Sequence, residues 1–264
     1  MIKTNNGHYQ SILKIFSELT YSRDTWEIFY DFMEMSAICI SNAVDFKNYD
    51  KREKQYLSTI SKYPLEHQRL FSKMFAELTL ALEHEYQVGG FTDILGSLFH
   101  ELELHNKYKG QFFTPQNICT MIGKMLLWEH DKAIQEVGCI SVLEPACGSG
   151  AMLLGFTQAM KERGYNHSQQ LSVSAIDIDL KCVYMCYIQL SLYGIPAIVI
   201  HGDSLTLGEW SRWYTPVYLF EGWNYKRKHH SIKQQIEDIE LQNEIIIPTS
   251  KEVMNSFEQL DLFK

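Results

Sequence analysis

The chain is expected to be α/β, with a helical amino-terminal domain followed by a doubly wound, mainly parallel and incomplete sheet. Two observations predict this. Between about Ser11 and Leu104, apolar residues recur at intervals of three and four, the period of helix faces. After Gly110, short β-branched runs alternate with helical stretches that close on glycine, and strands alternating with helices of this length imply a parallel sheet with right-handed crossovers.

Each element has its own signal. Trp26, Phe29, Tyr30, Met33 and Ala37 share one helix face; so do Leu70, Phe71, Met74, Phe75, Leu78 and Leu82, and so do Ile94, Leu95, Leu98 and Leu102. Gly89-Gly90 breaks this helical half. The run "CISVLEPACGSG" then reads as a strand ending in a glycine turn, and "AMLLGFTQAMKERG" as the helix after it. "LSVSAIDID" is a second strand, "LKCVYMCYIQLSLYG" a second helix, and "AIVIHGDSL" a third strand. Three domains follow: a helical one over 1–107, the sheet domain over 108–225, and a tail over 226–264 holding a polar helix and a β-like "EIIIP".

At 264 residues the chain can bury a substantial core without staples. No apolar run approaches the roughly 20 residues of a bilayer span, and "MIKTNNGHYQ" lacks the apolar centre of a signal peptide, so a cytoplasmic protein is expected. The six cysteines form no CxxC pairs and read as reduced thiols, and the scattered histidines suggest no metal site. A net charge of -8 argues against wrapping nucleic acid over the whole surface. One basic cluster, "NYKRKHHSIK", reads equally as a solvated helix start or a phosphate contact.

In doubly wound sheets, ligands lie outside the carboxyl ends of the strands. Three polar features fall there. The Glu144–Gly150 turn, with Ala146, Gly148 and Gly150, allows close backbone approach and offers amides to an anionic group. Asp177 can accept from two ribose hydroxyls, and Asp203 from an exocyclic amine. Together they describe a nucleoside site. Cys147 could be read as a nucleophile at a strand-to-helix turn, but no partner stands at a recognisable spacing, and the glycine spacing does not fit G-x-G-x-x-G.

The pair "GQFFTP" and "LEPACGSGAML", with "DILG" upstream and "GDSL" downstream, resembles the N6-adenine DNA methyltransferases, specifically the modification subunit of type I restriction-modification systems. The resemblance spans about residues 91–207. It implies a Rossmann-like class I fold binding S-adenosylmethionine. Phe113, Thr114 and Pro115 would line the cofactor pocket; Glu144 and the backbone of Ala146, Cys147, Gly148 and Gly150 would meet the methionine part. Asp177 would hold the ribose, and Asp203 with Leu205 the adenine.

That family's catalytic motif, Asn or Asp, then Pro-Pro, then an aromatic, aligns the target amine and stacks the flipped base. This chain has no Pro-Pro. Its nearest candidate is "YTPVYLF", which offers Thr215, Pro216 and Tyr218 as a degraded motif, or else is a core strand after a proline. Trp210, Trp213 and Trp223 beside it either line a base pocket or seal the core. Sixty-one residues follow Asp203, fewer than a second half-sheet and a target-recognition region need, so the first strand's outer edge would be covered by "VYLF", by "EIIIP" or by a second subunit. The implied function is methyl transfer to adenine in DNA, with help from another subunit: a specificity subunit or a second copy of this chain. The rival is a non-catalytic regulator or scaffold of a DNA-modification or restriction complex, and a protein or small-molecule acceptor is a third option.

Overall fold

The computed structural model describes residues 6–21, 23–102, 104, 114–223 and 225–226. Helices α1 (Gly7–Leu19), α2 (Thr25–Asn42), α3 (Tyr49–Ile60), α4 (Leu65–Val88) and α5 (Ile94–Glu101) come first. Side-chain caps begin three of them: Asn6 accepts from the His8 and Tyr9 amides, Asp24 from Trp26 and Glu27, and Asp93 from Gly96. A cap of this kind is worth about 1 kcal/mol. The apolar faces expected from spacing are buried at Phe29, Met33, Ala37, Phe71, Met74, Leu78, Leu82, Ile94, Leu95 and Leu98. Trp26, expected among them, is partly exposed.

Helix α6 (Gln116–Val137) then leads into the sheet: β1 (Ile140–Glu144), α7 (Ala151–Glu162), α8 (His167–Gln170), β2 (Leu171–Asp177), α9 (Leu180–Leu192), β3 (Ala197–Asp203), β4 (Gly208–Tyr214) and α10 (Pro216–Phe220). The strand order is β1-β2-β3-β4. The first three strands are parallel, with Val142 opposite Val173 and Val173 opposite Ala197, as the alternating pattern predicts. β4 returns antiparallel on β3, with a bulge between His201 and Gly202 and Leu207 in the left-handed region at the turn. It was not foreseen, and "PVYLF", read as a possible strand, is the short helix α10 with Pro216 in its first turn. "VYLF" therefore does not cover β1, whose outer edge is unpaired among the described residues; "EIIIP" lies outside them.

One hydrophobic cluster runs from Tyr9 through the helices and the sheet to Trp213. Tyr184 of α9 touches both Tyr30 of α2 and Trp213 of β4. Trp213 thus seals the core, whereas Trp210 is exposed beside His201. Buried Arg52 of α3 pairs with Asp45 at 2.7 Å, lies over the Trp213 ring at 3.9 Å and donates to the Arg212 carbonyl at 2.8 Å. All of this lies in the compact unit that ends at Glu221. The second unit, Gly222–Lys264, has only Gly222, Trp223, Tyr225 and Lys226 described, with Lys226 Nζ 4.7 Å from the Trp223 ring. The rest of the basic cluster lies outside the described residues.

Candidate cofactor-binding site

The site starts from chain direction. Because β1, β2 and β3 are parallel neighbours, Glu144, Asp177 and Asp203 all end strands at one edge of the sheet, with adjacent strands about 4.8 Å apart. Three carboxylates would repel one another if crowded, and each is instead held by amides. Glu144 Oε1 accepts from Ala146 N at 3.1 Å. Asp177 accepts from Gly148 N at 2.8 Å and Asp179 N at 2.9 Å, which ties the glycine turn to the end of β2. Asp203 Oδ1 accepts from Leu205 N at 2.9 Å. Burial pushes the Glu144 and Asp177 carboxyls above their ordinary values against these amides, while at half-buried Asp203 the Leu205 amide and Thr206 hold the carboxyl below it.

The turn between β1 and α7 needs its glycines. Gly148 and Gly150 have φ of 54° and 97°, a conformation that side chains rarely adopt. Gly150 precedes α7 with no side-chain cap, so the first amides of that helix are offered to an acceptor from outside. Cys147 is buried, and a hydrogen bond with Cys186 followed by burial pushes its thiol up, which keeps it protonated and unsuited to nucleophilic work.

Thr114 and Pro115 stand at the start of α6, where the Pro115 carbonyl accepts the Ile118 and Cys119 amides. α6 lies against α7 through two glycines. A Cβ on Gly155 would come within 2.4 Å of the Cys119 backbone, and one on Gly123 within 2.7 Å of the Gly155 carbonyl. No larger residue fits there. Phe113 lies outside the described residues.

Sequence reasoning missed a layer of polar side chains behind the turn. They hold a strap, residues 90–96, between the helical half and the sheet. Gln158 of α7 accepts the Phe91 amide at 3.0 Å, Tyr193 Oη accepts from Thr92 N at 3.1 Å, Gln116 accepts from Asp93 N at 3.3 Å, and Gln189 of α9 accepts from Leu95 N at 3.2 Å. A signal was present: Gln189 is a lone amide inside the apolar run "CYIQLSLYG", and it is fully buried.

Thr215, Pro216 and Tyr218 are not brought to this edge. Because β4 is antiparallel, Thr215 lies at the amino end of β3, about 20 Å along the strand from Asp203. Its hydroxyl is consumed there, accepting from Ala197 N at 2.8 Å and donating to the Ile195 carbonyl at 2.9 Å. Thr215 and Tyr218 are both buried. Exposed Leu205 is at the site edge, just beyond Asp203.

Three parallel strands with a glycine turn and acidic strand ends define a class of α/β protein whose ligands lie at this edge of the sheet. The particular family follows from comparison: the profile of the N-6 DNA Methylase family matches residues 90–253, more than half of the chain, and the chain belongs to that family. The methylase subunit of the type I restriction enzyme MpnII from Mycoplasma pneumoniae is 29% identical over 111 residues, which is 41% of this chain and 19% of that protein. The chain thus spans about a fifth of that relative's length. A class I S-adenosylmethionine-dependent methyltransferase structure from Listeria monocytogenes aligns with a TM-score of 0.41 and 17% identity, over 76% of this chain and 55% of that one. Family membership brings S-adenosylmethionine as the cofactor, and the donor set fits it. Strand-end carboxylates can accept from hydroxyls and amines, and the uncapped first amides of α7 can donate to a carboxylate, the groups that S-adenosylmethionine carries. Among the described residues, no helix is long and apolar enough to cross a membrane.

Proposed function

We propose that this chain is the cofactor-holding part of a DNA adenine-N6 methylation system. The supporting observation is the alignment of Glu144, the turn from Ala146 to Gly150, Asp177 and Asp203 at three successive parallel strand ends. In this reading Glu144 and the first amides of α7 bind the methionine part, Asp177 takes the ribose hydroxyls, and Asp203 takes the adenine amine with Leu205 against its ring. Thr114 and Pro115, with Phe113 before them, close the pocket from α6. When bound, S-adenosylmethionine supplies an electrophilic methyl group, and the chain's residues bind and orient it.

The acceptor side is carried by other groups. With the Thr215 hydroxyl committed to the β3 backbone and Tyr218 buried, "YTPVYLF" is structural, which favours a partner such as a specificity subunit or a second copy to present the DNA adenine. The same observation supports the second reading, a cofactor-sensing regulator or scaffold of a restriction-modification complex that transfers no methyl group.

The test is calorimetric titration with S-adenosylmethionine beside Asp203→Ala and Gly148→Leu. Saturable binding by wild type, weakened by about tenfold or more in both variants, is expected; tenfold corresponds to about 1.4 kcal/mol. A wild type that neither binds nor gains thermal stability at saturating cofactor overturns the reading. A labelled-methyl assay on DNA, protein and small molecules, with and without a partner subunit, then separates transferase from regulator.

A further inference from the structure

The "DILG" segment, Asp93 to Gly96, is given no cofactor contact in this reading, yet its carboxylate is buried directly behind the glycine turn. Asp93 Oδ2 accepts from the Ser149 hydroxyl at 2.5 Å, and Oδ1 accepts from Gln189 Nε2 at 2.9 Å and from Gly96 N at 2.8 Å. Gln189 Nε2 also donates to the Ser149 carbonyl at 2.8 Å. Ser149 stands between the two left-handed glycines of the turn and is buried, so its side chain points away from the ligand edge. Both its hydroxyl and its carbonyl are therefore pinned from behind. The fourth residue of the motif explains itself: a Cβ on Gly96 would sit 2.1 Å from Asp93 Oδ2, so any side chain there would expel the carboxylate from its place.

We propose that Asp93 is a positioning residue, which the glycine at 96 admits and through which the helical half holds the Gly148–Gly150 turn in the shape that meets the cofactor. It touches no part of the ligand; it acts through Ser149 and with Gln189. This rests on the cofactor reading given above. Donors meet the carboxylate on three sides from the turn, α9 and its own helix, so losing it leaves the Ser149 hydroxyl and one Gln189 amine proton buried without an acceptor. Polar groups left so are expected to draw the turn toward other partners.

The experiment uses the full chain with two readouts: S-adenosylmethionine affinity by calorimetry, and amide hydrogen exchange of residues 148–154 without ligand. Asp93→Ala and Gly96→Ala are expected to weaken binding by about tenfold and to speed exchange across the turn by at least as much. Asp93→Asn should recover affinity to within about threefold, because an amide can keep all three contacts once the Ser149 hydroxyl rotates to accept. Ser149→Ala added to Asp93→Ala should cost little more than Asp93→Ala alone, as expected for one coupled unit. Leu78→Ala, a core truncation in α4, should lower Tm while leaving affinity within about twofold. Unchanged exchange at 148–154 in Asp93→Ala overturns the proposal whatever the cofactor does. So does a Leu78→Ala variant that loses affinity equally, or an Asp93→Asn variant that recovers nothing. Wild type that binds no cofactor, with faster exchange still seen in Asp93→Ala, would sink the cofactor reading and leave the clamp on the turn standing.

Discussion

Asp177 shows how a single carboxyl can set the pH range of a site. Burial raises its pKa above 3.8 although backbone amides point at it, and Glu144 is raised by burial as well. In the proposed role of Asp177 toward the ribose, only the ionised form accepts from two hydroxyls without offering a competing proton. Cofactor affinity is therefore expected to be full near neutrality and to fall as pH drops through a window beginning above the ordinary carboxylate value. Asp203, held low by the Leu205 amide, stays ionised through that window and contributes none of the loss. Titrations at stepped pH test this: Asp177→Asn should bind more weakly at neutral pH and show a flatter profile. The sign for folding is opposite. A carboxyl whose folded pKa is raised binds its proton more tightly in the native state, so its contribution to stability declines as pH rises through the same window.

Among the elements, the approach of α6 to α7 decides where Thr114 and Pro115 can be. Gly155 meets backbone rather than a flexible side chain, so Gly155→Ala cannot be absorbed by a rotamer change. We expect a loss of about 1–3 kcal/mol in denaturant unfolding, together with weaker cofactor binding because the start of α6 shifts. Much at this scale was legible in the sequence. The three parallel strands, α7 and α9 follow from β-branched runs, helical spacing and closing glycines, and the acidic strand ends follow from those. β4 was not legible, because Glu209, Trp210 and Arg212 are exposed, a bulge interrupts the pairing, and the turn uses Leu207 where a glycine would have signalled it. Once β4 was missed, "PVYLF" inherited the wrong role: its β-branched and aromatic residues suggested a strand, whereas Thr215 and the proline after it start a helix. The strap was hidden for another reason. Hydrogen bonds between residues about a hundred positions apart, such as Gln189 with Asp93, leave no periodicity to read.

For the whole molecule, the helical half and the sheet share one core, and Arg52 is the polar bolt between them. Its guanidinium meets Asp45, Ser41, the Trp213 ring and the Arg212 carbonyl. Removing it strands Asp45 in a buried setting, so Arg52→Ala should cost about 3 kcal/mol by thermal or chemical unfolding. Lys keeps the charge but not the planar stacking, so Arg52→Lys should recover only part of that loss. The sequence suggested a division at residues 107 and 108; the shared cluster crosses it.

The strap also constrains how such a chain can be recombined. Its backbone is read by Gln116, Gln158, Gln189 and Tyr193, and it is joined to Ser149 by Asp93. A hybrid that takes its helices from one parent and its sheet from another must therefore draw residues 90–96 from the same parent as those five partners. A crossover placed anywhere between the strap and α6 would pair a foreign latch with a native keeper, and the cofactor turn would inherit the mismatch although every residue on its ligand-facing side was unchanged.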